Sequence, residues 1–131
     1  MIFNISDTFK ESFIVCKNTH KNFIKLSQDR NPLHTNQDFA KSKGFKGLVM
    51  HGNILNAYIS YFIGECLPIK NVIIHSQDIQ FKNPVFFDNI LDFTATVSGI
   101  FESVNSIEFK YYFRNSQSKV VAKGKIQIGI I

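Results

Sequence analysis

Three residues that could do chemistry together, Asp29, Asn31 and His34, fall within six positions in the segment LSQDRNPLHTNQDFA. On an α-helix, side chains five positions apart face different directions. A loop stiffened by proline can instead turn both toward one point. Pro32 fixes its own backbone angle and restricts Asn31, which lowers the cost of holding a defined geometry. A carboxylate and an imidazole so placed can share a water molecule, orient it and move its proton. The competing use is structural, with Asp29 capping a turn, Asn31 stabilising it and His34 at the surface. Aspartate and asparagine are common in turns for local hydrogen-bonding reasons. By type and spacing alone, the turn is the commoner outcome.

His51, Gly52 and Asn53 form a second feature, ahead of an apolar stretch. A glycine at a buried helix N-terminus leaves its backbone N–H without an intrahelical partner, at the positive end of the helix dipole. Such a donor suits a carbonyl oxygen that gains negative charge during a reaction. Gly52 could equally serve only to start the helix or to let another chain approach. His51 could serve as a base, but packing or bonding to backbone is the commoner outcome for such a residue. No polar constellation surrounds His20 or His75 in the sequence, and both are assigned structural roles.

The elements that must position these groups follow from periodicity. FKESFIVCK, from Phe9 to Lys17, alternates in part and predicts a first strand. NTHKNFIKLSQ predicts a helix capped by Asn18 or Thr19 and ended near Gln28, because Pro32 biases Asn31 away from helical geometry. A short helix is expected from Asn36 to Ser42, ended by Gly44. The stretch from His51 to about Cys66 reads as a helix apolar nearly all round, which places it at the centre of the protein. From Val72 onward the period switches to two. VIIHSQDIQFKNPVFF, ILDFTATVSGIF, SVNSIEFKYYFRN and KVVAKGKIQIGI read as strands with short connections, hence antiparallel neighbours. The expected fold class is α+β: a hot-dog arrangement, with an antiparallel sheet of about five strands wrapped round a long central helix.

The chain has 131 residues, a length suited to a single domain spanning 1–131. A net charge of +5 and a pI near 9.3 favour anionic partners. The lysines are scattered, and no basic stripe interleaves with aromatics, so nucleic acid is not an expected partner. Cys16 and Cys66 stand apart, without a CxxC or a Cys/His pairing. That spacing excludes the usual zinc motifs and argues against a disulfide framework, so no metal is expected. No signal peptide or membrane span is evident, and a soluble, cytoplasmic protein is the expectation.

The run LSQDRNPLHTNQDFAKSKGFKGLVMHGNILNAYISYFIGECLP resembles the MaoC-like, or (R)-specific enoyl-CoA hydratase, family. The resemblance lies in an Asp-x-Asn-Pro-x-His loop, an Ala-containing short helix and a His-Gly pair opening the central helix. It continues more weakly through IQFKNPVFFDNILDFTATV, so that it spans about Asn22 to Val97. The two motifs in this order are far more specific than either alone, and they outweigh the turn interpretation. The resemblance implies hydration of a trans-2-enoyl thioester, or dehydration of a (3R)-3-hydroxyacyl thioester, with coenzyme A or acyl-carrier protein as the carrier. It further implies Asp29 and His34 as the catalytic pair, Asn31 as support for their hydrogen bonds and Gly52 as the oxyanion donor. No cofactor and a homodimer are also implied. Arg30 and Asn36 depart from the family pattern, where less charged and acidic residues respectively are frequent. Tyr58 and Phe62 are candidate walls for an acyl tunnel. The alternatives are a hot-dog thioesterase, for which Glu65 sits poorly at the far end of the helix, and a non-catalytic acyl-binding subunit.

Overall fold

Period-two alternation produces five strands in the computed structural model, which describes residues 2–131. These are β1 (Thr8–Ile14), β2 (Val72–Phe81), β3 (Ile90–Phe101), β4 (Ser106–Arg114) and β5 (Val120–Ile130). They form one sheet in the order β1-β3-β4-β5-β2, with every neighbouring pair antiparallel. In β4, Ile107, Phe109, Tyr111 and Phe113 face inward and are buried, while Lys110 and Arg114 face solvent. β3 does the same with Leu91, Phe93, Ala95 and Val97. One face of the sheet is thus apolar and needs a cover.

The cover is helical. α1 (Lys17–Ser27), α2 (Pro32–Thr35), α3 (Gln37–Ser42) and α4 (Asn53–Tyr61) precede β2, and α4 runs on into a π-helical turn at Phe62–Cys66. Ile54, Leu55, Ile59, Phe62 and Ile63 are buried against the sheet. Phe62 is fully buried, and its ring lies 5.6, 5.1 and 5.5 Å from those of Phe9, Phe93 and Phe109. These tilted and edge-to-face pairs are the arrangement aromatic quadrupoles favour. The phenylalanine excess therefore has a structural use, because it fills the space between helix and sheet.

Several boundaries differ from those the sequence suggests. The central α-helix is shorter than the expected His51-to-Cys66 span, since its last turn widens to π geometry around Gly64, a poor helix former. The supposed proline loop contains one helical turn, α2, with Pro32 at its first position, where the missing N–H costs nothing. Cys16, not Asn18 or Thr19, precedes the first helical residue of α1, and it makes no side-chain cap. β2 stops at Phe81 because the Lys82 and Asn83 amides both turn to the Val121 carbonyl and Pro84 has no amide to give. β2 is an edge strand with mostly exposed residues, including Ile73, Ile74 and Phe81. Among the described residues, no helix is long and apolar enough to cross a membrane.

α1 ends where the site begins. Gln28, its C-cap, takes the left-handed conformation at φ 58° and returns its amide to the Ile24 carbonyl. That turn aims Asp29 away from the helix axis. A side chain at this φ is strained, and glycine relieves the strain. Gln28→Gly is expected to raise stability by about 0.5–1 kcal/mol, as measured by urea unfolding. A loss of stability would show that the Gln28 side chain makes compensating contacts.

Candidate active site

Three main features bring the turn after α1 against the segment leading into α4. The Val49 amide donates to the Leu33 carbonyl at 3.2 Å, and the Val49 carbonyl accepts from His34 Nδ1 at 2.7 Å. The His51 Nε2 donates to the Asp29 carbonyl at 3.0 Å. A carbonyl only accepts, so each of these ring nitrogens carries a proton. His34 in its neutral form therefore keeps its lone pair on Nε2, the atom left free to take a proton. Asp29, His34 and His51 each offer an oxygen or nitrogen atom, all within 4.8 Å of one another.

Local hydrogen bonds shape the turn. Asp29 Oδ1 accepts from the Asn31 amide at 3.0 Å, and Asn31 Oδ1 accepts from the Leu33 amide at 3.0 Å, capping α2. Asn36 repeats the device, capping α3 by accepting from the Phe39 amide. The hydrogen bonds of the turn interpretation are therefore present. The Asn31 side chain bonds to backbone, while its main-chain amide holds the Asp29 carboxylate. The second oxygen of Asp29 remains available, and this side chain is 47% exposed.

Asp29, His34 and Gly52 line one cleft of about 440 Å³. Its apolar walls include Val15, Phe23, Met50, Ile54, Leu55 and Phe81. Tyr58 and Phe62 are not among the lining residues. Tyr58 stacks on Phe13 at 4.4 Å and donates to the Ile14 carbonyl, while Phe62 belongs to the sealed core. The tunnel walls expected from the sequence are therefore replaced by residues nearer the helix tip. Gly52 opens α4, so its amide has no intrahelical acceptor. A Cβ at Gly52 would stand 2.7 Å from the Phe81 ring, so glycine lets that ring close one side of the cleft.

His20 is the residue that sequence inspection undervalued. It is buried, and its Nε2 donates to the His34 carbonyl at 2.9 Å. Its ring lies 5.4 Å from that of His51, which in turn stacks on His34 at 3.9 Å. Nothing local in NTHKNF signals this, because the partners lie far along the chain. Burial pulls the His20 pKa below its usual value, opposed by the hydrogen bond to the His34 carbonyl. His75 stands apart from this cluster, at a bulge in β2, with its ring against Gly129.

The arrangement suits proton transfer better than metal binding. Stacked imidazoles send their in-plane lone pairs along parallel rather than convergent lines. His34 Nδ1 and His51 Nε2 are already committed to carbonyls, and His51 Nδ1 is sealed from solvent without a partner. A metal bound by all three residues would require the His51 Nε2 bond to the Asp29 carbonyl to break, or the sealed His51 Nδ1 to be uncovered.

Comparison with known proteins adds independent observations. The family model described as "MaoC like domain" matches residues 6–117. The (R)-specific enoyl-CoA hydratase of Rhodospirillum rubrum is 34% identical over 88 residues, covering 67% of this chain and 61% of that protein. The chain thus spans about three-fifths of the length of this relative. The mitochondrial 3-hydroxyacyl-[acyl-carrier-protein] dehydratase of Arabidopsis thaliana is 25% identical over 128 residues, covering 95% of this chain and 75% of that one. The solved structure of the (R)-hydratase from A. caviae involved in PHA biosynthesis superposes with a TM-score of 0.91, at 23% identity and 98% coverage of each chain. That likeness carries the fold, which is the hot-dog fold.

Burial of His20 predicts a pH effect on stability. Below its usual pKa of about 6.5, the unfolded chain binds a proton that the folded state resists. Stability is then complete above this pH and falls as the pH is lowered through and below it. Urea midpoints between pH 7.5 and 5.5 should decline less steeply in His20→Gln than in the parent. Equal slopes would remove His20 from the acid sensitivity.

Proposed function

The chain belongs to the MaoC-like domain family, and from that premise we propose that it is a hydro-lyase interconverting a trans-2-enoyl thioester and a (3R)-3-hydroxyacyl thioester. The observation that carries this proposal is the meeting of Asp29, His34 and Gly52 in one cleft with apolar walls. Relatives named as hydratases and dehydratases support it.

In the proposed reaction the thioester carbonyl oxygen rests on the Gly52 amide, with the β-carbon toward Asp29 and His34. These two hold a water molecule. Its oxygen adds to the β-carbon, its proton passes to the pair through His34 Nε2, and the π-electrons move onto the carbonyl oxygen. The Gly52 N–H and the α4 dipole stabilise that enolate. Return of a proton to the α-carbon completes hydration, and dehydration runs through the same groups in reverse. No cofactor is required by this sequence of steps. Asn31 contributes by holding the turn that carries both reacting side chains.

The carrier is anionic in either form. Lys82 lines the cleft and, with Lys119 and Lys123, surrounds an adjoining concavity. Three clustered amines favour the phosphates of coenzyme A or an acidic carrier protein. Two copies of the chain would pair through β2, whose outer edge leaves backbone donors and acceptors to be satisfied and whose Ile73 and Ile74 are exposed. A cytoplasmic site of action belongs to the same proposal and fits the two free cysteines. The thioesterase alternative lacks a carboxylate at the right place. Glu65 is exposed, lies near Lys70 and does not line the cleft.

Crotonyl-CoA tests the assignment through loss of the conjugated enoyl absorbance. Asp29→Asn and His34→Ala should each lower kcat by about 10²–10⁴-fold. Parent and variants turning over alike would end it, and thiol release without hydration would point to the thioesterase. Charge reversal in Lys82→Glu should raise KM for crotonyl-CoA several-fold at low salt. That difference should shrink as salt is added, because exposed charges are screened. A KM independent of both would exclude Lys82 from carrier binding.

A further inference from the structure

Two histidines of the cluster play no part in the proposed proton transfers, yet each is bonded to one of the residues that does. His51 Nε2 donates to the main-chain carbonyl of Asp29, and His20 Nε2 donates to that of His34. Both are nearly sealed, at 3% and 7% exposure. They arrive from different parts of the fold, His20 from α1 and His51 from the segment ahead of α4. Neither carbonyl is engaged by the α2 turn itself, whose closing bond runs from the Asn36 amide to Pro32. Both carbonyls lie in partly buried surroundings, where a donor is needed, and here a side chain supplies it.

His34 is constrained from three directions. Its Nδ1 edge is pinned to the Val49 carbonyl, its main chain is held by His20, and one ring face rests on His51 at 3.9 Å with 29° between the planes. Rotating the ring would break the first contact and collide with the last. We propose that His20 and His51 are positioning residues, a two-point brace that sets where the Asp29 carboxylate and the His34 Nε2 lone pair point relative to the Gly52 amide. The catalytic meaning of the brace rests on the hydratase assignment, while its geometric content does not. Neither histidine carries a proton in the proposed steps, although His51 Nε2 stands 3.9 Å from Asp29 Oδ2 and its ring packs on that of His34. Their effect passes through Asp29 and His34, whose displacement by about 1 Å is enough to cost on the order of 10²-fold in rate.

Phenylalanine and glutamine separate a brace from mere filling of space. Phenylalanine keeps the apolar bulk beside Phe23 and Phe87, the aromatic neighbours of His51 and His20, but donates nothing. Glutamine keeps an Nε2 donor at about the same reach. With crotonyl-CoA, His51→Phe and His20→Phe should lower kcat about 10- to 100-fold while KM changes less than about threefold. The glutamine variants should recover much of that loss. Phenylalanine variants at parental kcat would overturn the proposal, as would glutamine variants as slow as the phenylalanine ones.

A measurement without turnover covers variants of low activity. Long-range ¹H–¹⁵N spectra of the imidazoles should show a single Nδ1–H tautomer for His34 in the parent and in His51→Gln. A mixture is expected in His51→Phe, and a single tautomer there would overturn the brace. Should His51→Phe fail to fold, loss of the single tautomer in His20→Phe or in His51→Leu decides the matter in its place. A parent inactive on every enoyl thioester but showing these spectral changes would remove the hydratase assignment and leave the brace standing.

Discussion

The site depends on how two stretches of chain, residues 29–34 and 49–52, are held side by side. Each is short, and neither belongs to the sheet. What joins them is a set of hydrogen bonds in which the Val49 amide and the rings of His34 and His51 satisfy carbonyls that the turn and the helix entry leave open. Buried carbonyls without donors are costly, so these bonds oppose any sliding of one segment past the other. The same bonds select the tautomers, and with them the one imidazole lone pair that faces the cleft. Structure and chemistry meet in a single constraint.

The rest of the molecule supports that constraint from behind. Gly52 at the head of α4 lines the cleft, while Ile54, Leu55 and Ile59 of the helix belong to the buried core. Phe62, near the other end, is locked among Phe9, Phe93 and Phe109. A helix anchored this way cannot easily withdraw its tip. β3, β4 and β5 carry most of the apolar face, and in β3 and β4 a one-residue slip would turn Phe93, Phe109 and Phe113 to solvent. β2 is different. It lies at an edge and is mostly exposed, and its last residue, Phe81, swings over Gly52 as a wall of the cleft. The edge strand therefore contributes to the site despite adding little to the core.

Electrostatics are arranged in layers. The cluster of His20, His34 and His51 lies inside, where burial disfavours extra charge on His20. Asp29 stands at the boundary, partly exposed, and Lys82 marks the outer lip. A lysine, a carboxylate, imidazoles and apolar walls thus line the same cleft.

The sequence alone determined the elements and their types, because strand alternation, helix periodicity and turn residues act through neighbours a few positions apart. β3 was readable to its ends, and the turn roles of Asp29 and Asn31 follow from local hydrogen bonding. Asp29, Asn31, His34 and Gly52 could be singled out because their motifs are compact and ordered. Only the tertiary structure decided that His20 joins the site, that Phe81 rather than Tyr58 or Phe62 walls the cleft, and that the proline segment closes into a helical turn. The first two depend on contacts across long stretches of chain, whose partners no local pattern reveals. The third depends on how neighbouring segments consume hydrogen bonds. Local rules set what each segment can be, and packing chose which residues of distant segments would face one another.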